Sequence, residues 1–128
     1  MDTKTLVRIS AAIEAVTGLA LILSPSLVVR LLLGGDLGAV GIAVGRVGGF
    51  GLLSLAMACW PGSDDASLQA TRALLTYNLL ASLYLAYLRF GGGFVSYLLL
   101  PACGLHALLT VLILFSLRAK LRSVLNVL

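Results

Sequence analysis

Four polar residues are each set inside a long apolar run: Glu14, Arg46, Asn78 and His106. A carboxylate, a guanidinium, an amide and an imidazole can together hold a proton, pair charges or grip a small polar molecule. In hydrocarbon such groups are costly, and where they occur they tend to face a protein interior and mark ligand sites or proton relays. Counted at 1.5 Å per residue from one side of a membrane, they fall at ~12–14 Å (Glu14), ~15 Å (Asn78), ~16 Å (His106) and ~20 Å (Arg46). A long Arg side chain spans that spread. The four are therefore expected to meet in one chamber, with Tyr77, about 100° round the helix from Asn78, reaching it from the side.

Each residue also has a plainer reading. Glu14 and Arg46 make either an ion pair that sets helix register or a ligand or proton site. His106 is a satisfied interior histidine, a proton carrier or ligand contact, or a haem ligand. Asn78 serves as interhelical glue or orients a ligand. Metal binding is not expected: the chain has one His and no H-x-x-x-H, C-x-x-C or E-x-x-H spacing. Haem would need His106 with a second ligand such as Tyr77, or a His from another subunit. No nucleophile–base pair has a recognisable spacing, and Gly91-Gly92-Gly93 reads as a turn, not a phosphate loop. An enzyme is not expected.

The elements that must position these groups are apolar helices. The 128 residues are 60% hydrophobic and only 11% charged. A water-soluble domain of this length could not bury so much apolar surface, whereas lipid as solvent removes the problem. Gly34-Gly35-Asp36, Pro61-Gly62-Ser63-Asp64-Asp65 and Gly91-Gly92-Gly93 divide the chain into runs of roughly 5–33, 37–60, 67–90 and 94–117. Each is near or above the ~20 residues that cross a bilayer as a helix. Asp36 and Ser67 are expected as N-caps of the second and third spans. Pro25 is expected to kink the first span or loosen its outer third. That first run is too long for the core of a signal peptide, so it reads as a retained helix.

Charge sets the orientation. The net charge is +4. Lys4, Arg8, Arg72, Arg118, Lys120 and Arg122 lie towards one side, Arg30 and Arg89 towards the other, so the positive-inside rule places both termini in the cytoplasm. Trp60 and Phe115 then mark the inner interface, and Tyr87, Phe90, Phe94 and Tyr97 an outer aromatic belt. The basic residues read as topology signals and anionic-lipid contacts; with no basic face or motif, nucleic-acid binding is excluded. Cys59 and Cys103 lie about 20 Å apart along the membrane normal, too far for a disulfide.

Helical faces support convergence. Ser10, Thr17, Gly18 and Pro25 share a face with Glu14; Thr71 and Ser82 with Asn78; Ala102, Cys103 and Thr110 with His106. Small and polar residues of this kind mark helix contacts in membranes. The second span carries G-x-x-x-G spacings at Gly41, Gly45 and Gly49, which allow close backbone approach within or between protomers.

The pattern Arg8, Glu14, Gly18, Pro25, Gly34, followed by a glycine-rich span carrying Arg46, resembles the small DoxX-like bacterial membrane proteins. That resemblance implies a four-helix membrane fold. Some members associate with redox enzymes. The first span, through Ala11-Ala12-Ile13-Glu14-Ala15-Val16, is also similar to that of small multidrug resistance transporters. This chain departs from them in adding Arg46 and His106 and in its clear charge bias.

The sequence thus leads to a single all-α transmembrane domain over residues 1–128. It is expected to be an up-down-up-down four-helix bundle in the bacterial inner membrane. The leading expectation is a protein that binds or transports a small polar or anionic molecule, with proton coupling, through Glu14, Arg46, Tyr77, Asn78 and His106. Arg46 would contact the anion, and Glu14 with His106 would respond between about pH 5 and 8. The alternative is an accessory subunit of a membrane redox system, with the cluster structural or holding haem or a quinone headgroup. Homo-oligomerisation or a membrane-protein partner is expected in either case.

Overall fold

A computed structural model describes residues 2–62 and 67–125, with the side chains of 121 and 123–125 left out. The described residues form five helices and no strand: α1 (Thr3–Leu23), α2 (Pro25–Leu33), α3 (Ala39–Cys59), α4 (Leu68–Phe90) and α5 (Leu99–Leu125). The loop residues Ser63, Asp64 and Asp65 lie outside the described residues.

Local chemistry sets the helix boundaries. Asp2 caps α1 by accepting the Thr5 N–H at 2.9 Å. The first apolar run is interrupted at one residue, Ser24, just before Pro25. Ser24 leaves helical geometry and Pro25 takes the first position of α2, where its missing N–H and fixed φ do no harm. Gly34 ends α2 in the left-handed region at φ 77°, a conformation that favours glycine. Asp36 does not cap α3. The helix starts beyond it, at Gly38, without a side-chain cap, because the Asp36 carboxylate is taken by Arg30, whose Nη2 lies 2.6 Å away. Ser67 does cap α4, accepting the Ala70 N–H at 3.1 Å.

The fourth run also differs from its expected bounds of 94–117. Residues 94–98 are held as non-helical chain against the end of α2. Leu98 N–H donates to the Leu31 carbonyl, and the Ser96 hydroxyl to the Leu32 carbonyl. The helix begins at Leu99 and runs on to Leu125. Arg118, Lys120 and Arg122 therefore sit on its last turns, where cations suit the carbonyl end of the helix dipole.

Three helices are long and apolar enough to cross a membrane: α1, α3 and the Leu99–Lys120 part of α5. At 21 residues, α1 and α3 each reach about 31 Å, the thickness of the hydrocarbon layer. α4 has 23 residues but is diluted by Gln69, Thr71, Arg72, Thr76, Asn78 and Ser82. The outward surface carries large exposed apolar side chains such as Val16, Val44, Val47, Met57, Leu80 and Leu108. An apolar surface this extensive suits contact with lipid.

Packing divides the helices into two close pairs, α1 with α3 and α4 with α5, with sparser contact across the pairs, chiefly from α1 to α4 and α5. The α1–α3 crossing is made by glycines. A Cβ added at Gly18 would lie 2.8 Å from the Gly49 carbonyl oxygen, and one at Gly49 2.7 Å from the Gly18 carbonyl oxygen. Two apolar clusters bracket the centre of the molecule. Val7, Ala11, Cys59 and Leu74 form one, and Leu85, Leu88 and Leu99 the other. In sequence order along α4, the polar residue Asn78 falls between them, and on α1 Glu14 follows the first cluster.

Candidate functional site

The site grows from one backbone oxygen. The Leu74 carbonyl accepts the Asn78 Nδ2–H at 2.8 Å. Asn78 Nδ2 also donates to Ser10 Oγ on α1, at 2.7 Å, so α4 is fastened to α1. With its amide nitrogen so engaged, Asn78 turns its Oδ1 to α5, where His106 Nδ1–H donates to it at 2.8 Å. Asn78 and Ser10 are fully buried. One amide therefore links three helices. The Tyr77 ring stands edge-on to the imidazole, with centroids 5.8 Å apart at 78°. The Thr110 hydroxyl donates to the His106 carbonyl at 2.8 Å, a back-bond that keeps this hydroxyl within its own helix.

Glu14 completes the layer. Its side chain is 1% exposed, and Oε1 lies 3.9 Å from His106 Nδ1, beyond hydrogen-bond range. Neither carboxylate oxygen has a hydrogen-bond partner. A buried polar group left in this state costs folding free energy, on the order of 1–3 kcal/mol and more if charged. Native interiors rarely tolerate that without a use for the group.

The structure thus brings together Glu14, Tyr77, Asn78 and His106, but not Arg46. The expected Glu14–Arg46 ion pair does not form. Arg46 is exposed on α3 and makes no hydrogen bond or ion pair among the described residues. The reason is angular. Gly45 and Gly49 are the positions that meet α1, Gly45 against Pro25 and Gly49 against Gly18 and Ile22. Arg46 is turned about 100° from Gly45, and a contact between glycine backbones leaves no room for a long side chain to return between the helices.

The small and polar faces read from the sequence do point inward. Ser10, Gly18, Pro25, Thr71 and Ser82 are buried, and Thr17, Ala102, Cys103 and Thr110 partly so. Sequence reasoning missed the direct part played by Ser10, although its place one turn before Glu14 was the available signal. Cys103 donates its thiol to the Ser82 carbonyl at 3.4 Å. Both cysteines are free. Among the described residues no group of three or more His, Cys, Asp and Glu side chains could hold a metal ion.

Compared with models of known protein families, with curated proteins and with solved structures, the chain finds no match in any of the three.

Proposed function

We propose that this is a small integral membrane protein whose interior polar layer, Glu14, His106 and Asn78 with Tyr77 and Ser10, binds or transports a small polar molecule in a proton-linked way. The observation that carries the reading is Glu14, buried with both carboxylate oxygens unpartnered and an imidazole 3.9 Å away. A carboxylate and an imidazole at this spacing can share or exchange a proton after a small movement. With Arg46 turned outward, the layer has no fixed cation to receive an anion, which favours a neutral or cationic ligand. In this reading α1, α3, α4 and α5 span the inner membrane as an up-and-down four-helix bundle with both termini cytoplasmic, as the charge bias suggests. Arg46 then answers to something outside the protomer, a lipid headgroup or another subunit.

The test is a thermal-stability screen of the purified protein in detergent against small amines, alcohols and carboxylates, at about pH 5.5 and 7.5, on either side of the ordinary imidazole range. At least one class is expected to stabilise the wild type, to do so differently at the two pH values, and to lose its effect in Glu14→Gln. Equal responses in wild type and variant would sink the proposal.

A second reading, an accessory subunit of a membrane redox system, is favoured by one observation. His106 uses Nδ1 towards Asn78 and keeps its other ring nitrogen free of protein partners. If that nitrogen binds haem, the purified protein shows a Soret band that disappears in His106→Ala. A colourless preparation removes the haem version and leaves a quinone headgroup, which a quinone-displacement assay addresses.

A further inference from the structure

The hydrogen bonds around Asn78 decide more than its own position. A backbone carbonyl only accepts, so the Leu74 oxygen at 2.8 Å requires the NH2 end of the Asn78 amide to face it. The other end, Oδ1, can then only accept, and the atom 2.8 Å from it is His106 Nδ1. That nitrogen must carry a proton. In a neutral imidazole one nitrogen donates and the other accepts, so Nε2 holds a lone pair. The nearest acidic group is arranged to the same end, because Glu14 Oε1 also approaches Nδ1, at 3.9 Å. An N–H held by an amide oxygen fixes the tautomer and leaves the opposite nitrogen for binding, as it does in metal-ligating histidines.

Hydrogen-bonding capacity without a protein partner can then be counted. Neither oxygen of Glu14 has a partner within hydrogen-bond range, and the Tyr77 hydroxyl is close enough to act on them. His106 Nε2 is an acceptor. Asn78 is spent on Leu74, Ser10 and His106. What Glu14 in its ionised form and His106 offer together is acceptor, with no fixed cation facing it, since Arg46 is exposed on α3.

We infer that Asn78 is a positioning residue that locks His106 in the Nδ1–H tautomer, so that the site meets its occupant as a hydrogen-bond donor, through His106 Nε2 and the Glu14 carboxylate. The inference rests on the binding role proposed above and names the chemical class of what is bound. At His106 Nε2 and an ionised Glu14, an anion or pure acceptor would meet lone pair against lone pair, which disfavours it.

The chain has a single histidine, so 15N-histidine labelling of the full protein in lipid nanodiscs gives one pair of ring signals. At about pH 8, above the ordinary imidazole range, Nδ1 is expected at the protonated position and Nε2 at the unprotonated one. Asn78→Leu should lose that preference and move both signals towards the average of the two tautomers. Ser10→Ala, which spares the Leu74 and His106 bonds, should keep it.

Three probes with the same two-carbon frame then separate the chemistries. Ethylammonium and ethanol should move the Nε2 signal in proportion to dose, and acetate should not. Glu14→Gln should lose the ethylammonium response. An Nε2–H tautomer in the wild type overturns the inference without using any variant. A response to acetate with the donors silent overturns it too, yet leaves the binding role standing. Silence from all three overturns both.

Discussion

The carboxylate of Glu14 is where stability and use conflict. Its burial without partners makes the folded state worse than an apolar residue would. Replacing even a paired set of buried charges by apolar residues of similar volume is often neutral or stabilising by about 1–4 kcal/mol. Glu14→Leu is expected to raise resistance to denaturant in micelles by that order while abolishing the response to ethylammonium. A loss of stability would mean that the carboxylate serves the fold. Arg46 should behave in the opposite sense. Removing an Arg from the centre of an apolar helix relieves an insertion cost of about 2.5–3.5 kcal/mol. Arg46→Leu is therefore expected to improve membrane insertion, read in a translocon assay, and to leave ligand responses unchanged.

These two residues also show what the chain discloses by itself. Glu14, Asn78 and His106 could be grouped because each has small or polar neighbours one turn away on the same face. Arg46 was grouped by depth alone, and depth says nothing of direction around the helix. Only the glycine contacts reveal that the inward face of α3 belongs to Gly45 and Gly49.

Among the elements, the α1–α3 contact makes the sharpest demand on side-chain size. At Gly18 or Gly49 an added methyl meets backbone atoms at 2.7–2.9 Å, and backbone cannot swing aside. Gly18→Ala and Gly49→Ala should each destabilise by about 1–3 kcal/mol. Gly48→Ala meets nothing within 4 Å and should be neutral or stabilising by up to about 1 kcal/mol. Equal losses at all three positions, measured by unfolding in mixed micelles, would refute this packing.

The N-terminus of α1 adds a pH effect. Thr5, through its hydroxyl first and its backbone N–H second, holds the Asp2 carboxyl below its ordinary range. A carboxyl whose pKa is lower in the folded state stabilises above its unfolded value and loses that contribution as pH falls through the folded one. The Thr3–Leu6 turn should accordingly fray on acidification, seen in its 13Cα shifts, and Asp2→Ala should fray at every pH. Caps and breaks of this kind were partly legible. Ser67 was, since nothing competes for its hydroxyl, whereas Asp36 was not, because a cation six residues earlier claims it. The start of α5 was hidden as well: residues 94–98 are apolar enough to continue a helix, and their hydrogen bonds to α2 come from distant sequence.

Over the whole molecule, the charge bias makes a prediction that the helices alone do not. Cysteines introduced at Asp36 and at Gly93, in a background lacking Cys59 and Cys103, should be labelled from outside intact cells. One at Ser67 should be labelled only from the cytoplasm. The reverse pattern would invert the proposed topology. The membrane character itself was legible from composition, since no soluble packing hides so many large apolar side chains. The partition into two helix pairs was not, because it depends on which glycines touch.

That partition has a consequence for the bond between Ser10 and Asn78. The pairs α1–α3 and α4–α5 meet sparsely, and this bond is a clasp across the seam between them. Asn78 also holds the imidazole. A visitor that draws His106 away from Asn78 would disturb one of the side-chain links between the halves, the Thr3–Ser116 hydroxyl pair being another.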